Sequence, residues 1–152
     1  MNYKIKRGVL KKYKDEKGVT EIFIPDSVGI IDQGAFSGCT NLVRILVPDS
    51  VQVIADTAFS GCENLQSIAL PESTVRLGWY AFRGCRSLSD LTIPSSLREI
   101  GKFAFAGCDH LAAVKVVHDD KIYRFVLRGE LDNERWQKIR NTVINHKQNI
   151  AS

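Results

Sequence analysis

One eight-residue motif occurs four times in this chain, always at an interval of 23 residues. The copies begin at Ala35, Ala58, Ala81 and Ala104 and read AFSGCTNL, AFSGCENL, AFRGCRSL and AFAGCDHL. A fixed period of this length indicates a solenoid, in which each repeat stacks on the next. Because one such repeat is too small to bury its own apolar residues, the chain can reach a stable fold only by stacking.

Each repeat also contains a short alternation of apolar residues that predicts a half-buried strand. The five segments are 22–24, 45–47, 68–70, 91–93 and 114–116. Proline follows or ends four of them, at Pro25, Pro48, Pro71 and Pro94, and proline suits a strand end because it cannot donate to a sheet ladder. We therefore expect one strand per repeat, paired in a parallel sheet.

Stacking predicts columns of equivalent residues about 4.8 Å apart. The aromatic column comprises Phe36, Phe59, Phe82 and Phe105, and the aliphatic column comprises Leu42, Leu65, Leu88 and Leu111. The four cysteines, Cys39, Cys62, Cys85 and Cys108, also share one repeat position. A row cannot surround one zinc ion tetrahedrally, so we expect free, buried thiols that fill the core.

The two ends of the chain leave the repeat register. Residues 1–18 contain two alternating segments around Arg7-Gly8, which predicts a hairpin cap. Residues 19–116 hold the repeats, and residues 117–152 predict a cap made of the second strand of a hairpin and an amphipathic helix. Asp132 is the expected helix N-cap, and Trp136 is the expected anchor of the buried helix face. This cap should cover the last aromatic and aliphatic residues.

Each repeat unit combines a strand pattern, as in Leu42-x-x-Ile45-x-Val47, with a following proline and the motif Ala-Phe-x-Gly-Cys. This unit resembles the BspA-like leucine-rich repeats of bacterial proteins. The resemblance covers about Thr20 to Val116. Ser27, Ser50, Ser73 and Ser96 stand where the general leucine-rich pattern has asparagine or cysteine. The resemblance implies an α/β repeat solenoid, a short leucine-rich-repeat horseshoe, with a binding or surface-display role and without catalysis.

Composition fits one domain covering residues 1–152, because 44% of the residues are hydrophobic and 25% are charged. No apolar run approaches the ~18 residues of a membrane helix, so we expect no membrane insertion. The first residues contain lysines without an apolar segment behind them, so the sequence predicts a cytoplasmic protein. A cell-surface or secreted location would follow if the native protein were longer.

No residue pattern supports an enzyme or a cofactor site. The three histidines, His110, His118 and His146, show no metal-ligand spacing and no nucleophile–base arrangement. The glycines are explained by turns and caps rather than by a phosphate-binding loop. We therefore expect no catalytic activity, no cofactor and no bound metal.

The outward positions of the strands should line one extended face, where repeat proteins bind their partners. We expect the binding residues to be Phe23, Arg44, Leu46, Ser67, Ala69, Asp90 and Thr92. The row that starts with Phe23 and Leu46 is apolar at first and polar later. A second row, of Ile30, Val53, Arg76 and Glu99, changes in the same direction. The N-terminal half is therefore expected to be the more adhesive half, towards a protein partner or towards a second copy of the chain.

Three functions remain open from the sequence. The favoured one is a protein–protein interaction module with an unknown partner. The first alternative uses the basic ends, since lysine and arginine are frequent before residue 18 and after residue 120, to bind an acidic partner or, less favourably, nucleic acid. The second alternative is a fragment of a bacterial cell-surface adhesin-type protein.

Overall fold

The computed structural model describes the backbone of residues 2–151 and the side chains of residues 2–145. It contains twelve strands and one helix. The strands are β1 Tyr3–Lys6, β2 Val9–Tyr13, β3 Glu21–Phe23, β4 Ile30–Ile31, β5 Arg44–Leu46, β6 Val53–Ile54, β7 Ser67–Ala69, β8 Arg76–Leu77, β9 Asp90–Pro94, β10 Glu99–Ile100, β11 Ala113–His118 and β12 Lys121–Val126, and helix α1 spans Asn133–Ala151.

The strands form two sheets that run along the solenoid. The main sheet has the order β12-β11-β9-β7-β5-β3, and the second sheet has the order β1-β2-β4-β6-β8-β10. The predicted solenoid with a parallel sheet is confirmed, because β3, β5, β7, β9 and β11 pair in parallel. The expectation of one strand per repeat is wrong. Each of the four complete repeats adds a two-residue strand to the second sheet, and a pair of residues is too short to show a periodic pattern.

A stack of turns forms the third side of the solenoid, and we call it the turn stack. It comprises residues 33–38, 56–61, 79–84 and 102–107. Within each turn, a backbone N–H donates to the carbonyl three residues earlier, as from Ser37 to Gly34 at 3.0 Å. Between turns, the N–H of Phe36 donates to the carbonyl of Ala58 at 2.7 Å. The turns are therefore bonded to one another much as strands are.

The predicted aromatic column is present in the core. Successive rings of Phe36, Phe59, Phe82 and Phe105 are 4.9, 5.1 and 5.3 Å apart between centroids and are nearly parallel. Tyr13 of the N-terminal hairpin extends the column, with its ring 5.2 Å from that of Phe36. Tyr13 lies 23 residues before Phe36, so the cap supplies the aromatic residue in the register of the repeats.

Both predicted cap structures form. The N-terminal hairpin of β1 and β2 continues the second sheet through Leu10, which pairs with Ile31. At the other end, β12 folds back on β11, and α1 packs against β10 and β11.

The side chain of Asp132 accepts a hydrogen bond from the N–H of Arg135 at 2.8 Å, which confirms the N-cap. The indole of Trp136 is buried and donates to the carbonyl of Leu97 at 2.9 Å.

The prediction that the cap covers both last core residues is only half right. Phe105 is 3% exposed, but Leu111 is only partly buried, whereas Leu42, Leu65 and Leu88 are fully buried. The cap thus closes the aromatic side of the solenoid and leaves the aliphatic side open.

We expect Phe59→Ala to lower the free energy of unfolding by about 3–5 kcal/mol, because the cavity opens against the rings on both sides. Phe23→Ala is the matched control. The side chain of Phe23 is 68% exposed, and its removal should cost less than about 1 kcal/mol. Urea denaturation followed by circular dichroism measures both. Equal losses in the two variants would contradict the stacked core.

A second prediction concerns the close approach of two repeats at Gly78. A Cβ atom there would lie against the backbone nitrogen of Asp56 and the backbone carbon of Ala55, at distances that real Cβ atoms do not show. Gly78→Ala should therefore destabilise the fold by about 1–3 kcal/mol. Gly29→Ala is the control, because its Cβ would meet no atom closer than 3.8 Å. A Gly78→Ala variant as stable as Gly29→Ala in urea would disprove the close approach.

Candidate functional site

The outward side of the main sheet carries all seven residues that the sequence nominates for binding, and we call it the sheet face. Phe23, Leu46 and Ala69 lie side by side on β3, β5 and β7, followed by Thr92 and Lys115 on β9 and β11. Phe23 is 68% exposed, Ala69 is exposed and Leu46 is half-buried. The N-terminal hairpin reaches the strip through Tyr3, whose hydroxyl donates to the backbone carbonyl of Phe23 at 2.9 Å, but the Phe23 side chain stays largely exposed.

A polar row runs beside the apolar strip. Arg44 lies 3.9 Å from Glu21, and the hydroxyl of Ser67 donates to Asp90 at 3.4 Å. Asp90 also bonds the ammonium group of Lys115 at 3.0 Å, across β9 and β11. Exposed ion pairs of this kind add little stability. Their effect is to place a fixed charge pattern beside the apolar strip.

Strand β12 adds residues to the sheet face that the sequence did not nominate. Arg124 pairs with Lys115, and the exposed Ile122 and Val126 pair with Val117 and Ala113. Cross-strand partners point to the same side of a sheet. The sheet face is therefore apolar at both ends and charged between them. The sequence predicted a strand here, but which side chains face outward depends on the pairing with β11.

The second sheet shows the other predicted row. Ile30 is 39% exposed and Val53 is half-buried, whereas Arg76 and Glu99 are exposed and lie 3.8 Å apart. Val9 of the hairpin pairs with Ile30 and continues the apolar end of the row. From Phe23 to Lys115 on the main sheet and from Ile30 to Glu99 on the second sheet, the residues thus change from apolar to charged in the same direction.

Aromatic residues project from the turn stack at its C-terminal end. Trp79 and Phe103 are 53% and 50% exposed, and the ring of Tyr80 stacks on that of Phe103 at 5.5 Å. Lys102 lies over the Trp79 ring, and Arg83 lies over the Tyr80 ring. Tyr80 and Phe103 have left-handed backbone angles, with φ of 56° and 58°, which are uncommon for bulky residues. The ring of Tyr80 is thus packed against its neighbour, whereas about half of the Trp79 and Phe103 side chains stays open to solvent.

The cysteines form a row of free thiols, as predicted. Cys62, Cys85 and Cys108 each donate the S–H to the phenylalanine carbonyl of the preceding repeat, at 3.2 Å. Burial raises the pKa of Cys39 and of Cys108 to about 12. Both thiols are therefore neutral near pH 7, and a neutral thiol is a poor nucleophile and a poor metal ligand.

Two of the four serines in the asparagine position of the leucine-rich pattern bond the preceding repeat, whereas the buried hydroxyl of Ser50 has no hydrogen-bond partner among the described residues. Ser73 donates to the carbonyl of Val51 and Ser96 to that of Glu72, both at 2.7 Å. The neighbouring Thr74, fully buried, also donates to Val51 at 2.8 Å. These hydroxyl groups thus replace the asparagine side chain in joining adjacent repeats.

The two basic segments lie at opposite ends of the solenoid. The hairpin of β1 and β2 ends the second sheet, and β12 ends the main sheet on the far side. The lysines of the hairpin are exposed, and Lys11 pairs with Asp32 at 3.2 Å. Their separation means that the basic ends do not join into one surface.

Within the described residues, no three His, Cys, Asp or Glu side chains lie close enough together to hold a metal ion. The helical residues that the structure describes include no segment with the length and apolarity that crossing a bilayer requires.

The model for the BspA type leucine rich repeat region matches residues 11–126 with six copies. It begins inside β2 of the N-terminal hairpin and ends with β12, so it includes all the strands of the main sheet. No curated protein matches the chain.

Solved structures of bacterial leucine-rich repeat proteins are similar to this chain. One from Bacteroides ovatus ATCC 8483 is 30% identical, with a TM-score of 0.53, and the match covers 70% of this chain and 39% of that one. One from Bacteroides capillosus ATCC 29799 is 27% identical, with a TM-score of 0.65, over 72% of this chain and 86% of that one. A leucine rich cell surface protein from Faecalibacterium prausnitzii A2-165 is 26% identical, with a TM-score of 0.50, over 73% and 35%.

The chain spans well under half the length of two of these three proteins. The family match covers most of the chain, agrees with the 23-residue period and includes the stacked strands and turns described above. The chain therefore belongs to the BspA-type leucine-rich repeat family.

Proposed function

We propose that this chain is a non-enzymatic protein-interaction module that binds its partner through the sheet face. The observation that carries the proposal is the exposed strip of Phe23, Leu46 and Ala69. A phenylalanine that is 68% exposed gains no stability from burial within the chain. An adjacent set of apolar residues with a charged border is typical of a surface that another protein covers.

The charged row next to the strip gives the interaction its specificity. Glu21 and Arg44 lie beside Phe23 and Leu46, and Asp90 lies at the other end, next to Thr92. A partner would place an apolar ridge on the strip and complementary charges on the polar row. Charges at such a border mainly select the partner and speed association rather than supply affinity.

Proteins of this family and fold are generally non-enzymatic, which agrees with a binding role. The Faecalibacterium prausnitzii neighbour is described as a cell surface protein, and this supports the alternative that the chain is part of a surface adhesin-type protein. The sheet face would serve equally well as the binding surface of such an adhesin-type protein. The sequence also predicted a cytoplasmic location. In that case the sheet face would bind cytoplasmic partners instead of extracellular ones.

Self-association is the simplest form of the proposal, since a second copy presents the same apolar strip. A two-fold pairing of strips would bring Glu21 of one copy towards Arg44 of the other, which is electrostatically favourable. Binding of nucleic acid has less support, because the basic segments lie at opposite ends of the sheets.

Leu46→Glu tests the proposal, because it places a charge in the middle of the strip at a half-buried position. We expect sedimentation velocity over a range of concentrations to show weaker self-association of this variant, or, for a monomeric protein, loss of binding by partners selected from a displayed protein-fragment library. Gln66→Glu, an exposed site in the same repeat, is the charge-matched control and should behave as the wild type.

Two results would reject the proposal. One is a Leu46→Glu variant that associates and binds selected fragments as well as the wild type does. The other is a loss of binding in both variants, which would point to net charge rather than to the strip. Circular dichroism must first show that the Leu46→Glu variant is folded.

A further inference from the structure

The backbone-to-backbone hydrogen bonds between successive turns of the described turn stack all run in one direction. The N–H groups of Phe36, Phe59 and Phe82 each donate to an alanine carbonyl in the next repeat at 2.7 Å. The acceptors are Ala58, Ala81 and Ala104. Glycine N–H groups two residues later do the same, as from Gly84 to Ala106 at 2.8 Å. The N–H groups two residues before each phenylalanine also donate to the next repeat, as from Tyr80 to the carbonyl of Lys102 at 3.0 Å. Each turn thus offers three donors to the turn that follows it.

The last turn has no turn after it. Its three equivalent donors are the backbone N–H groups of Phe103, Phe105 and Gly107. Among the described residues, none of these groups has a hydrogen-bond acceptor. The C-terminal end of the turn stack is therefore an open edge with donors at every second residue, as at the edge of a sheet.

Two core columns lose their cover at the same place. Cys85 and Leu88 are fully buried, whereas their equivalents Cys108 and Leu111 in the last repeat are only partly buried. The C-terminal cap covers the aromatic side but leaves this side accessible. The open donors and the uncovered apolar residues thus adjoin each other.

A cleft of about 650 Å³ lies between the last turn and residues 127–130. Phe105 and Gly107 line it on one side and Leu127 on the other, with Cys108 and Leu111 at its apolar part. The open donors of Phe105 and Gly107 therefore belong to residues that line a cavity.

The border of the cleft is acidic. Asp109 and Glu130 line it, and Glu130 also lines an adjoining cleft with Asp132 and Glu134. Among the described residues, Lys102 is the one lysine or arginine that lines either of these two clefts, and Lys138 lies 3.6 Å from Glu134 in a neighbouring cleft. A ligand that binds here must accept hydrogen bonds from N–H groups and must also carry positive charge.

From this combination we infer that an extended, basic segment of a partner protein binds at the open edge as an additional turn. Its carbonyl groups accept from the N–H groups of Phe103, Phe105 and Gly107. An apolar side chain covers Cys108 and Leu111, and a lysine or arginine side chain meets Glu130. A simple anion would accept the same hydrogen bonds but would be repelled by Asp109 and Glu130, and a simple cation could not accept them. This mode is the addition of a backbone to a free edge.

Amide hydrogen exchange followed by NMR tests the open edge in the free protein. The amides of Phe103, Phe105 and Gly107 should exchange much faster than the equivalent bonded amides of Tyr80, Phe82 and Gly84. The probe for binding is the peptide acetyl-Arg-Leu-Arg-Leu-Arg-amide, with acetyl-Glu-Leu-Glu-Leu-Glu-amide as its charge-reversed control. The basic peptide should shift and protect the three open amides, and the acidic peptide should not.

Glu130→Lys should weaken binding of the basic peptide by about ten-fold or more at low salt, because it replaces an attractive charge by a repulsive one. Glu63→Lys is the matched control, since Glu63 is exposed and occupies the repeat position of Asp109 two repeats earlier. Leu46→Glu should leave peptide binding unchanged, so this result separates the open edge from the sheet face.

Several outcomes would overturn the inference. They are protection of the three amides in the free protein, equal shifts with both peptides, absence of binding, or shifts that fall on the sheet face. Concentration-dependent protection of the same amides without peptide would identify a second copy of the chain as the occupant and would equally reject a partner segment.

Discussion

Backbone hydrogen bonds between successive repeats are the interaction on which the rest of this structure depends. They hold equivalent residues about 5 Å apart on all three sides of the solenoid, through two sheets and through the turn stack. At that spacing the ring of Phe59 contacts the rings of Phe36 and Phe82. It also allows the thiol of Cys62 to reach the carbonyl of Phe36. Without this spacing neither the core nor the aligned sheet face would exist.

The period of 23 residues made the solenoid, the aromatic column and the sheet face predictable, because a periodic fold brings equivalent positions together. Features outside the period were harder to predict. The two-residue strand of Ile30 and Ile31 carries no alternation, so only the bonding to its neighbours defines it. The exposure of Ile122 and Val126 depends on the register between β12 and β11, which no local pattern determines. Tyr13 could have been found, since it lies one period before Phe36.

Directional bonding makes the two ends of the solenoid different. At the N-terminal end, the hairpin supplies an N–H group from Tyr13 to the carbonyl of Ala35, at 2.9 Å, and an aromatic ring to the core column. At the C-terminal end, the cap supplies Trp136 to the core and Asn133 to the N–H of Ile100. The described residues of this cap supply no acceptor to the N–H groups of Phe103, Phe105 and Gly107 in the last turn. One end is thus completed by a segment in the repeat register, and the other by elements that leave part of the edge open.

The contrast between inward and outward columns indicates where function can be encoded. The inward column keeps phenylalanine in all four repeats, because a smaller side chain would leave a cavity against two neighbours. The outward column on the sheet face changes from Phe23 to Leu46, Ala69 and Thr92 without loss of any core contact. Its residues lie outside the stacked core, and Leu46 and Thr92 are half-buried while Phe23 and Ala69 are exposed. The interaction proposed for the sheet face would account for an exposed gradient in a chain whose interior is otherwise repetitive.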